Sequence, residues 1–85
     1  ARRVRDAFER LEIAKDALRA LARARDLAVR NSDEANARFR AGLATATELA
    51  DAEALRAEAA VQFTIGEFQW RNARIELSRS RAEEP

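Results

Sequence analysis

The sequence predicts an all-α fold, a long antiparallel two-helix coiled-coil hairpin, and three observations carry that prediction. The 85 residues include two glycines and one proline, which is the last residue, so helix breakers are missing everywhere except near the centre. Ala, Leu, Arg and Glu dominate, a composition of long helices rather than of a mixed α/β domain. Apolar residues recur in alternating three- and four-residue steps along both halves, which is the spacing of a coiled-coil seam. One segment at the middle, RFRAGLATATELADAE from Arg38 to Glu53, puts a helix stop and a helix start back to back. A strand reading has no support, because β-branched residues are scattered and no period-two run occurs.

The first helix is expected over about 3–40. Its seam runs through Val4, Ala7, Leu11, Ala14, Leu18, Leu21, Ala28, Ala35 and Phe39, with Arg25 and Ser32 as polar interruptions. A second line, Ile13, Ala17, Ala20, Ala24 and Leu27, runs beside it at the same spacing. The tip is expected over about 41–45. Gly42 stands where the first helix needs a left-handed residue, which glycine adopts without a steric cost. Thr45 is then placed to cap the second helix, with Glu48 at the third position of a T-x-x-E capping box.

The second helix is expected over about 46–81. Leu49, Ala52, Ala59, Phe63, Gly66, Trp70, Ala73 and Leu77 form one seam, interrupted by Arg56. Ala50, Ala54, Ala57, Val61, Ile65, Phe68 and Ile75 form another, interrupted by Asn72. Gly66 inside this helix reads as a close helix-helix contact rather than a hinge. Trp70 and Phe68 read as packing residues rather than a membrane-interface belt, since both fall on seams.

A lone hairpin needs one seam per helix, and here each helix has two. The surplus implies further packing partners, and the abundant Ala suits a wall of side-by-side helices. Each arm of about 37 residues is on the order of 55 Å long, at 1.5 Å per residue. Such a rod buries little apolar area alone, so the chain is expected to self-associate or to be only partly stable.

Charge and chemistry narrow the function further. Sixteen basic residues, all but one of them Arg, face fifteen acidic ones, and the signs are interspersed. A nucleic-acid reader would show a basic stripe, so no nucleic-acid partner is expected. The pairs Asp6/Arg10, Asp26/Arg30, Glu34/Arg38 and Glu67/Arg71 instead suggest mutual support along exposed helix faces. With no long apolar run, the chain by itself is expected to span no membrane. Without Cys there are no disulfides, and without His or Cys the commonest general base and soft metal ligands are missing. Glu48 and Asp51 share a helical face and could pair as acid and base, but first-turn acids already offset the helix dipole. No enzymatic activity, cofactor or metal is expected.

The central segment also resembles a family. Arg40-Ala41-Gly42-Leu43, then Thr45, Glu48, Leu49 and Asp51-Ala52, with Asn31 upstream, resemble the periplasmic turn of TolC-type outer-membrane efflux and secretion channels. The resemblance spans about Leu11 to Arg79, and its specific part is the tip. Two features depart from it: Ala50 stands where the family has a larger aliphatic residue, and SRSRAEEP replaces a small, Gly-ended close.

The resemblance implies a piece of a larger protein, a homotrimer with an outer-membrane β-barrel and a periplasmic helical tunnel built from two hairpins per subunit. This chain is more similar to the second hairpin. It further implies location in the periplasmic part of a Gram-negative outer-membrane protein, and passive conduction when the tips part. A periplasmic adaptor would meet Arg40, Gly42, Leu43 and Thr45, and link the channel to an inner-membrane pump. Glu48 and Asp51 match a cation-favouring pore entrance. Two other readings stay open. The hairpin of the adaptor also has a Gly-containing tip, but there an Arg and Leu set lies well before a Ser, whereas here Arg-Ala-Gly-Leu abuts the turn. A generic coiled-coil spacer explains the periodicity but not the second seams.

Overall fold

A computed structural model of the chain, described here for residues 2–83, consists of two helices, α1 (Arg2–Arg40) and α2 (Ala46–Glu83), folded back on each other as an antiparallel hairpin. Its dimensions are 67 × 14 × 12 Å and its radius of gyration is 18.9 Å. A compact domain of this length has a radius of gyration of roughly 12 Å, so the molecule is a rod.

The contact between the arms follows the first seam of each helix. Leu11, Leu18, Leu21 and Ala28 of α1, and Leu49, Ala59, Phe63 and Trp70 of α2, are half-buried, while Ala7 and Leu77 are buried. At Gly66 the arms are in close contact: a Cβ there would lie 2.6 Å from Leu21 Cδ1 and 3.5 Å from Leu18 Cδ1. The glycine is therefore a contact residue, as its position on the seam suggests.

The polar interruptions of the seam pair across it. Arg25 stacks its guanidinium on the Phe63 ring at 3.9 Å from the centroid. Ser32, buried, donates to the Val29 carbonyl at 3.0 Å and accepts from Arg56 Nη1 at 3.0 Å, which also reaches Asp33 Oδ1 at 3.4 Å. These cross-helix pairs specify one register, because a slip would leave the Ser32 hydroxyl facing an apolar neighbour. At the open end Arg3 and Glu83 form an ion pair at 2.6 Å, whose exposure keeps its stabilisation small.

The expected support from ion pairs within each helix is not found. Asp6/Arg10, Asp26/Arg30, Glu34/Arg38 and Glu67/Arg71 do not close to ion-pair distance, and the pairs formed among the described residues are Arg3–Glu83, Arg25–Asp26 and Arg56–Asp33. Long exposed side chains lose more rotamer freedom than a high-dielectric contact returns.

Candidate functional site

The tip is closed by two sets of hydrogen bonds, one at each helix end. At the end of α1 the Gly42 N–H donates to the Phe39 carbonyl at 3.0 Å and the Leu43 N–H to the Arg38 carbonyl at 2.8 Å, a Schellman closure. It requires a left-handed residue, and Gly42 has φ of +76°. Arg38 adds a side-chain bond from Nη2 to the Leu43 carbonyl at 3.4 Å. At the start of α2 the Thr45 hydroxyl accepts from the Glu48 N–H at 3.1 Å, and its carbonyl accepts from Leu49 N–H at 3.1 Å. Thr45 is thus the N-cap, but the expected capping box is half formed: the Glu48 carboxylate does not accept the Thr45 N–H, and Glu48 lies at the third helical position near the positive end of the dipole.

The sequence-derived site residues come together at this end of the rod. Arg40 is the last residue of α1, Gly42, Leu43 and Thr45 form the turn, and all are exposed, Leu43 to 69%. An apolar side chain presented at the apex of a tight turn closed by backbone bonds is a contact feature rather than a core one. Arg38 and Arg40 flank it on one side, Glu48 and Asp51 on the other. Both acids are exposed, and neither is held in an ion pair. They share the side of α2 that carries Leu55 and Glu58, which border a shallow apolar groove with Leu27 and Asn31 of α1. Asn31 therefore lies on the same face as the two acids, about three turns from the tip.

Arg38 is the tip residue that sequence reasoning placed only in a surface ion pair. Its position five residues before Leu43, the partner of its backbone in the Schellman closure, is the signal that could have found it. The chemistry this end can perform is recognition: a rigid turn, one exposed Leu, two cations and two carboxylates. Among the described residues no group of three or more His, Cys, Asp or Glu side chains is placed to hold a metal ion, and no helix is long and apolar enough to cross a membrane. Compared with protein-family models, with curated proteins and with solved structures, the chain gives no match.

Proposed function

We propose that the hairpin is a periplasmic segment of a TolC-like trimeric outer-membrane channel, belonging to an efflux or type I secretion system, whose tip docks a periplasmic adaptor. The observation that carries this reading is the tip: the Arg-Ala-Gly-Leu turn that resembles the family's is closed by bonds that hold Leu43 outward. A turn closed by backbone bonds that presents one apolar anchor between two cations and two carboxylates suits docking, because little ordering entropy is lost on binding. The uncovered second seams support it too, since a tunnel wall needs helices with contacts on two sides. Glu48 and Asp51, repeated around a three-fold axis, would give a ring of carboxylates that favours cations. A spacer without a transport role would need neither the exposed Leu nor the acids.

The experiment is paired and uses the full-length protein that carries the hairpin. Gly42→Val should reduce cross-linking to the adaptor and raise drug or export sensitivity while the trimer still reaches the outer membrane. Glu48→Gln with Asp51→Asn should lower cation selectivity in single-channel recordings with assembly unchanged. Normal adaptor cross-linking by the first variant and parental conductance by the second would reduce the tip to a connector and remove the channel reading.

A further inference from the structure

We propose that the hairpin docks on an anionic lipid bilayer through one face of its open half, where cations of both helices form a patch that takes lipid phosphates. The proposal concerns the end of the rod away from the tip and does not depend on what the tip binds.

The two faces of the hairpin differ in charge there. Arg10 and Ile13 border one hollow between the arms with Asn72 and Glu76, and Arg3 and Arg10 border another with Arg79 and Glu83, so these residues mark one face. With Asp6 beside them at helical spacing, that face carries three cations and three carboxylates over residues 2–20 and 66–83. The opposite face carries Arg5, Glu12, Lys15 and Arg19 from α1, and Glu67, Arg71, Arg74 and Arg81 from α2, six cations against two carboxylates. The other charges of this half, Arg2, Glu9 and Asp16, lie on the back of α1. Exposure widens the difference: both acids of the cationic face are half-buried, as is Lys15, while its five arginines are exposed.

None of the six cations closes to ion-pair distance with a carboxylate among the described residues, where the pairs are Arg3–Glu83, Arg25–Asp26 and Arg56–Asp33. Their field is therefore directed outward. Toward the tip the same face turns acidic, with Asp26, Asp33 and Glu53 against Arg40, so the patch is confined to a length of about 20 Å at 1.5 Å per residue.

A cluster of about four to eight cations is what an anionic lipid surface attracts. Five of the six here are Arg, whose planar fork takes phosphate oxygens in pairs. They stand in two rows, one on each helix, which makes the patch a plane. A plane of cations matches a bilayer, whereas a single line of them would track a nucleic-acid backbone. Phe8, 49% exposed, stands one turn from Arg5 on this face and supplies an apolar side chain that enters between headgroups. Trp70, the aromatic on this side that could stack on a base, is covered by the Arg74 guanidinium at 4.8 Å from its ring centroid. The same stacking holds Arg74 in place on the patch. These features favour lipid over nucleic acid.

The test is flotation of the 85-residue chain with vesicles of phosphatidylcholine, alone or mixed with an equal part of phosphatidylglycerol. The chain should float with the mixed vesicles, stay behind with phosphatidylcholine, and be released by high salt. Arg19→Gln with Arg71→Gln, one from each row, should weaken binding roughly 25-fold, at about fivefold per cation. Arg10→Gln with Arg79→Gln removes the same charge from the opposite face and should weaken it by less than about threefold. Because the chain has no cysteine, a polarity-sensitive dye can be attached at Phe8→Cys or, on the opposite face, at Asn72→Cys. On mixed vesicles the first dye should shift to shorter wavelength and the second should not. Equal losses from the two pairs of variants, or equal shifts of the two dyes, would overturn the proposal. So would equal binding to phosphatidylcholine alone, or tighter binding to a DNA duplex or to polyglutamate than to the mixed vesicles.

Discussion

Gly42 sets where the rod turns, and it does so through backbone conformation alone. Its φ of +76° is left-handed, and nothing lies within 4 Å of where a Cβ would stand, so a substitution is penalised by strain and not by a clash. A left-handed non-glycine residue costs roughly 1–2 kcal/mol, least for Asn and most for a β-branched side chain. Urea unfolding followed by circular dichroism should therefore rank Gly42→Asn close to the parent and Gly42→Val well below it, by about 2 kcal/mol. Equal stability of the two variants would show that the turn is not held as described. The same residue illustrates what was legible in sequence: a glycine followed at a fixed distance by a Thr and a Glu prescribes stop and start, because those signals are local. The bond from Arg38 to the Leu43 carbonyl was not legible, since an Arg near a helix end has several carbonyls and carboxylates within reach.

At the scale of the helix pair, Gly66 trades helix propensity for contact. Adding a Cβ would gain about 0.5–1 kcal/mol of helix stability, but that atom meets Leu21 Cδ1 at 2.6 Å. Moving Leu21 off its rotamer costs on the order of 0.5–1.5 kcal/mol. Gly66→Ala should thus be neutral or destabilising by up to about 1 kcal/mol in the parent, yet stabilising by about 0.5–1 kcal/mol when Leu21→Ala has opened the space. Thermal melts of the four chains in this cycle give the coupling directly, and an identical effect in both backgrounds would mean that the arms do not touch there. Periodicity revealed both seams of each helix because apolar spacing is a property of the chain. Which seam faces the other arm was decided by features that spacing does not weigh: Gly66 leaves room for Leu21 against its backbone, and Arg25 and Ser32 find Phe63 and Arg56 opposite. The ion pairs read within single helices failed for the converse reason, since spacing brings charges near but does not pay for ordering them.

The end and the flanks of the whole rod do different work in the proposed channel. The tip carries an exposed Leu43 on a turn closed by a Schellman motif and an N-cap, and the flanks carry apolar stripes that the hairpin leaves uncovered. In the proposed channel the first meets a different protein and the second meet neighbouring helices. One measurement separates these roles: a photo-activated cross-linking residue placed at Leu43 or at Phe68 of the full-length protein in cells. The probe at Leu43 should capture the periplasmic adaptor, and the probe at Phe68 should capture helices of the channel itself and no adaptor. Capture of the adaptor from Phe68, with none from Leu43, would contradict that division.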